Sequence, residues 1–289
     1  MPCSARLIDM ESNTENIFDR ELYLAHLARS KSKRSDILVH SIATELAERL
    51  EPITREFNHA CLIAVDPQPI AAAIRASGKV KNLEILEPTV SEVLALKPEG
   101  FDAIFNILDL HLVNDVPGTL IQLRRALVPD GLFMACLFAG QTLNELRQSW
   151  LEAEDLITGG VSPRVAPMID VRELGGLLQR AELALPVVDI DRTFVRYPDA
   201  IALIHEIRSL GLSNPMTGRS RKPVTRNLLG EAISIYQQKH SDEDGRIRAT
   251  VEVAWATAWA PHESQQKPLK PGSAKFRLAD ALKVPETKI

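Results

Sequence analysis

The chain has 289 residues, with 34 Lys and Arg set against 38 Asp and Glu for a formal net charge of −4, and 45% of its residues are hydrophobic. This length is ample for one α/β domain with insertions, and the charge balance leaves no electrostatic footprint for a nucleic acid. Three cysteines, Cys3, Cys61 and Cys136, are scattered without CxxC spacing, which suggests neither a disulfide framework nor a zinc site and fits a reducing compartment.

Residues Met1 to Glu11 hold no long apolar stretch and carry acids early, so neither a signal peptide nor a transit peptide is expected. No run approaches the length of a membrane span. A cytoplasmic protein without an integral membrane segment is the expectation. A helix starts near Asp19, with Leu22, Tyr23 and Leu27 toward one side. Ser35 is placed to cap a second helix, in which Leu38, Ile42, Leu46 and Leu50 recur at helical spacing until Pro52 stops it. The unbroken apolar run Ala60 to Val65 reads as a parallel strand covered on both faces, ending at Asp66. A helix from Pro69 to Gly78 follows, then a strand over Leu83 to Leu86 and a short helix over Val90 to Leu96.

Phe101 to Leu108 is the next buried strand, and Asp115 is positioned to cap a helix containing Leu120, Leu123 and Leu127. A Val128-Pro129-Asp130-Gly131 turn leads into a strand over Leu132 to Leu137. Thr142 and Glu145 have capping-box spacing at the head of a helix reaching about Asp155. Helices near 171–181, 200–210 and 228–239 and strands over 187–195 and 250–259 complete the pattern, with Val251, Val253, Trp255 and Trp259 on one strand face. The β-α-β-α alternation predicts a doubly wound, Rossmann-like α/β sheet. The expected organisation is an N-terminal helical segment (1–52), the α/β domain (53–262) and a polar tail (263–289). A helical insertion at about 198–242, between the last two strands, forms a lid over the C-terminal strand edges.

Several stretches together carry a family resemblance: Ile17-Phe18-Asp19-Arg20, Phe101 to Ile104, Leu108 to Asp115, Leu123 to Phe133, Gly140 to Arg147, Gly159 to Arg164 and His262 to Gln266. In these, running from about Ile17 to Asp280, the chain resembles class I S-adenosylmethionine methyltransferase-like proteins. The branch is that of the mitochondrial complex I assembly factors and their bacterial relatives, which are similar to the malonyl-carrier methyltransferases of biotin synthesis. The resemblance implies an S-adenosylmethionine pocket and a part in maturing a respiratory NADH:quinone oxidoreductase, one of whose subunits is the implied partner. For the animal member it implies hydroxylation of a subunit arginine; other relatives are methyltransferases acting on a protein or a carrier-bound small molecule.

The resemblance also places candidate residues. Asp66 and Gln68 fall in the loop after the first strand, Glu87 at the position of the acid that holds ribose hydroxyls, and Asn106 and Leu108 at the cofactor's methionine end. Glu87 reads equally as a solvent-facing residue at a strand end. Asp109 and His111 are acid–base candidates nearby, with a backbone-bonded loop histidine as the alternative for His111. Phe18, Asp19 and Arg20 are candidates for closing the N-terminal helix over the cleft, with an ordinary helix start and an exposed Arg as the alternative. Arg147 and Arg164 are candidates for a carboxylate or a partner peptide, with surface salt bridges as the alternative. His262 either lines the cleft or ties the tail to the sheet. No HExxH and no helical His pair occurs, so no metal is expected.

One stretch departs from the family. A glycine-rich loop normally follows the first strand, because the backbone must approach the cofactor closely and take positive φ. Here Val65-Asp66-Pro67-Gln68-Pro69-Ile70 holds no glycine, and Pro67 and Pro69 each lack an N–H. Between Glu87 and Phe101 the chain is also shorter than the family by about one helix and one strand. A pseudoenzyme that keeps the fold but binds no cofactor, and an active transferase, are therefore the two functional expectations.

Overall fold

A computed structural model of the chain describes residues 16–30, 37–266 and 273. Its strands are β1 (Phe57–Ala64), β2 (Val80–Leu86), β3 (Phe101–Ile107), β4 (Leu127–Phe138), β5 (Ala184–Tyr197) and β6 (Ile247–Trp259). They form one sheet in the order β2-β1-β3-β4-β6-β5. The first four run parallel, whereas β6 is antiparallel to both β4 and β5. The helices are α1 (Arg20–Ser30), α2 (Ile37–Leu50), α3 (Pro67–Ala76), α4 (Val116–Ala126), α5 (Asn144–Thr158), α6 (Val171–Arg180), α7 (Ala200–Ser209) and α8 (Arg226–His240).

Helices cover both faces of the parallel strands, which is why β1, β3 and β4 are apolar without interruption. Leu62, Ala64, Phe105 and Met134 point toward α2 and α3, where Leu46, Ile70 and Ile74 meet them. Cys61, Ile63, Ile104 and Phe133 point the other way, toward Leu120 and Leu123 of α4 and Leu174 and Leu178 of α6. In β6 the alternation is strict. Val253 and Trp255 join the first core and Ala254, Ala256 and Ala258 the second, so small residues stand where α6 comes close. Burial pushes the Cys61 thiol up to about 12, so it acts as an unreactive core residue.

The insertion between the last two strands is present as α7 and α8. Asp199 caps α7 through the Ala202 N–H, and Thr225 caps α8 through the Leu228 N–H. Leu146 and Trp150 of α5 pack with Ala232 and Tyr236 of α8 in a separate core. At the other end of the insertion, Phe18, Tyr23 and Leu27 share a cluster with Leu112 and Met216.

Four local expectations need correction or fall outside the described residues. Residues 90–96 form bends, not a helix. Gln122 of α4 donates to the Glu92 carbonyl at 2.9 Å and accepts the Leu94 N–H at 2.7 Å, so backbone groups that a helix would pair internally are held from outside. The capping box at α5 does not form, and Leu143 stands at the N-cap with φ 56°. Thr142 bonds the Ala139 and Glu252 carbonyls at 2.9 Å, and Glu145 accepts from Thr250, so pairing with β6 replaces the local motif. The Pro-Asp-Gly turn lies inside β4, where the register against β3 shifts between Phe101 and Ala103 and Asp130 takes φ 62°. Ser35, the expected cap of α2, lies outside the described residues.

Candidate functional site

In an open α/β sheet the ligand crevice lies beyond the C-terminal strand ends, where the strand order reverses. Here that point is between β1 and β3. The chain leaves β1 through Val65 and Asp66 and enters α3 at once, two residues before the expected Pro69. Asp66 is the N-cap residue at φ −128°, with no side-chain cap bond to the helix. Proline suits the first helical turn because its missing N–H needs no partner there. The same substitution halves the donors this helix start presents outward, leaving only Gln68 and Ile70 between residues 67 and 70. Leu108 follows β3 at φ 60°, a left-handed conformation uncommon for a leucine, fixed by its N–H on the Cys136 carbonyl at 2.7 Å. The space between these two exits, lined by Tyr23, Ala64, Asp66, Ile70, Leu108 and Leu212, amounts to about 20 Å³.

Arg20 closes this edge from α1. Its guanidinium pairs with Asp109 at 2.9 Å, and both side chains are almost fully buried. Further bonds run from Arg20 to the Thr89 carbonyl at 3.0 Å and the Leu112 carbonyl at 3.4 Å, and the charge lies 5.4 Å from the centre of the Tyr23 ring. Burial raises the pKa of Asp109, while Arg20 opposes the rise. Phe18 exchanges two bonds with Asn114, donating to its Oδ1 at 2.8 Å and accepting from its Nδ2 at 3.2 Å. Glu92 anchors that asparagine by accepting from the Asn114 N–H and Nδ2 and from the Asp115 N–H. On the lid side, the Asp19 N–H bonds the Pro215 carbonyl at 2.8 Å, and Phe18 bridges Met216. Residues 17–20 thus clamp the β3 exit to the lid loop.

The other candidates divide by position. His111 sits in the short 3-10 turn Leu110–Leu112, is buried, and neither ring nitrogen has a hydrogen-bond partner. Its contact is an edge-on approach to Phe138 at 5.0 Å, and burial lowers its pKa to about 3. This overturns the backbone-bonded alternative. Asn106 is buried in β3 on the face of Ile104, the side away from the lid, with its Oδ1 unpartnered. Gln68 and Glu87 are exposed. Arg164 is committed to Glu154, at 2.9 Å from Nε and 2.5 Å from Nη2. Arg147 bonds the Ala166 carbonyl at 2.9 Å and has no acidic partner among the described residues; desolvation lowers its pKa. It lines an open groove of about 760 Å³ with Gln141, Ser162 and Met216. His262 lies at the opposite edge of the sheet, bonded to Ser264, while Gln265 holds Asp130 and the Ala260 carbonyl. Gln265, which also accepts the His262 N–H, is the residue that ties this segment to the sheet, and His262 does not join the cleft.

Thr89 and Glu92, which fix Arg20 and Asn114, were missed, because they lie in an irregular segment without periodicity and act on residues distant in sequence. Also missed was a second cavity of about 540 Å³, larger than the space at the β1 exit, between the β5–β6 ribbon and α2, α5 and α7. Among the described residues no cluster of three or more His, Cys, Asp or Glu is placed to hold a metal, and no helix is long and apolar enough to cross a membrane.

Residues 41–135 match the methyltransferase domain family. The sheet resembles that of a putative methyltransferase from Bacillus halodurans, at TM-score 0.50 and 13% identity over 75% of this chain and 98% of that one. Sheet, crossover helices and lid together define a class I methyltransferase-like protein. The arginine-hydroxylase NDUFAF5 of Rattus norvegicus is 33% identical over 94% of this chain and 85% of its own length, and that of Homo sapiens 32% over the same shares. The malonyl-[acyl-carrier protein] O-methyltransferase of Halorhodospira halophila is 27% identical over 80% of this chain and 84% of its own. The chain belongs to the NDUFAF5 family.

Proposed function

We propose that the chain assists maturation of a respiratory NADH:quinone oxidoreductase by binding one of its subunits, using a methyltransferase fold that no longer holds S-adenosylmethionine. A cytoplasmic site of action is part of this reading. The observation that carries it is the β1 exit. A nucleoside-sized ligand needs a pocket of roughly 300 Å³ or more, against about 20 Å³ here. Close approach of the backbone calls for glycine, where Asp66, Pro67, Gln68 and Pro69 stand. The residues present therefore do not suit the adenosyl group. Arg147, half-buried and without an acid, suits an acidic segment of a partner laid in its groove.

A second reading, an active methyltransferase or arginine-modifying enzyme, draws on the methyltransferase-domain match across residues 41–135, which spans this same edge. Isothermal titration of S-adenosylmethionine into the purified chain separates the two. The expected result is no saturable heat; micromolar binding overturns the proposal and supports the second reading.

A further inference from the structure

The cavity under the lid has features that neither the fold nor the proposed role uses. Its floor is the β5–β6 ribbon, where Thr193, Val195, Val251 and Val253 face it, with Val251 paired opposite Thr193. Ile42 of α2 and Trp150 of α5 form two walls, and Ile204 of α7 is in the roof. His111 also borders the cavity, 7% exposed, with both ring nitrogens unpartnered. A buried imidazole without partners is costly, because its N–H donor and its lone pair have lost water and gained nothing. Aliphatic and aromatic side chains make up most of the remaining wall, with Glu45, Arg164, Asp191, Glu206 and Arg208 as its charged members.

Shape limits what fits. From Asp191 to Tyr197 the floor runs roughly 20 Å, at about 3.3 Å per residue, the length of an extended chain of about sixteen carbons. The volume of about 540 Å³ lies within the range of small-molecule sites. A peptide would bring a polar group at every residue against a wall that is mostly apolar, and of its charged members Arg164 is already committed to Glu154. A single hydrocarbon chain brings none. One oxygen at the chain's end would supply the partner that the His111 nitrogens lack, since a neutral imidazole both donates and accepts.

We propose that this cavity binds a small amphiphile with one long hydrocarbon chain, the chain lying on β5 and β6 beneath α7 and an oxygen-bearing head group hydrogen-bonded to His111. Straight acyl-type and branched prenyl-type chains share this chemistry. Occupancy requires nothing at the β1 exit, so the inference stands or falls apart from the proposed function.

The test supplies the full chain with hexadecan-1-ol or geranylgeraniol carried on cyclodextrin, separates protein by gel filtration, and measures the lipid extracted with it. Near-stoichiometric retention of one or both is expected, and which is retained identifies the chain type. Ile204→Trp fills the roof and is expected to lower affinity at least tenfold. His111→Leu removes the head-group bond and is expected to lower it about tenfold, the equivalent of one good hydrogen bond. Leu185→Trp, outside the cavity, is expected to change nothing. Should Ile204→Trp melt early by circular dichroism, Val195→Trp fills the floor in its place. Retention of neither lipid, or retention equal in the wild type and all cavity variants, overturns the proposal.

Discussion

Arg20 and Asp109 lie 89 positions apart and meet at 2.9 Å in an almost fully buried ion pair. The pair fastens α1 to the exit of β3. Removing one partner of a buried pair strands the other charge, at a cost of about 3–5 kcal/mol. Arg20→Ala is expected to lower unfolding free energy by that amount in urea titration. The double variant Arg20→Met with Asp109→Leu is expected to lose much less, because no charge is left behind. Equal losses would show that the pair matters through packing alone.

His111 makes stability depend on pH. Its pKa falls from 6.5 to about 3 in the folded chain, chiefly through burial and secondarily through Arg20. The unfolded chain therefore binds the proton more readily. The stability the neutral ring contributes is fully present above pH 6.5 and is lost progressively as pH falls from there toward about 3. The His111→Leu variant is expected to have a shallower decline over the upper part of this window, by up to about 1.4 kcal/mol per pH unit. Matching slopes for wild type and variant in urea titrations at pH 7, 6 and 5 would refute the assignment.

Two glycines make a matched contrast. Gly140 has φ 53°, and a Cβ there would overlap Glu252 Oε2, the carboxylate that accepts the Gln141 N–H at 2.7 Å and pairs with Arg192. Gly140→Ala is expected to cost more than about 1 kcal/mol. Gly176 lies within α6 with nothing near its missing Cβ, so Gly176→Ala is expected to stabilise by about 0.5–1 kcal/mol. Thermal melts of the two variants are expected to shift in opposite directions.

The two arginines flanking the groove differ in what they leave behind. Arg164→Ala strands Glu154, which is 4% exposed and then keeps only the Ser162 N–H and hydroxyl. A loss of about 2–3 kcal/mol follows. Arg147→Ala strands only the Ala166 carbonyl and is expected to cost about 1 kcal/mol or less. If the groove receives an acidic partner segment, Arg147→Ala weakens that binding while the chain stays folded. Pull-down with an acidic subunit peptide and a chemical melt read the two effects separately.

How much of this was legible from the sequence follows from how local each signal is. β1 and β3 were readable because a strand covered on both faces must be apolar throughout, and the α4 cap because Asp115 bonds the Gly118 N–H three residues on. The lid and the alternating face of β6 were readable for similar reasons. Residues 90–96 were not, because Gln122, distant in sequence, satisfies their backbone. The α5 cap failed because Thr142 and Glu145 found stronger partners on β6. In the site, Arg20 and Asp109 were both visible as candidates, yet nothing in their spacing showed that they pair. The cavity was invisible because its walls come from elements scattered over most of the chain, from α2 to β6.

The bonds joining residues 17–20 to Pro215 and Met216 mean that the lid is not hinged on its own strands alone. Swinging α7 outward would have to peel this N-terminal strap away as well. The N-terminal strap and the insertion are thus mechanically coupled, although they lie about 200 positions apart in the chain.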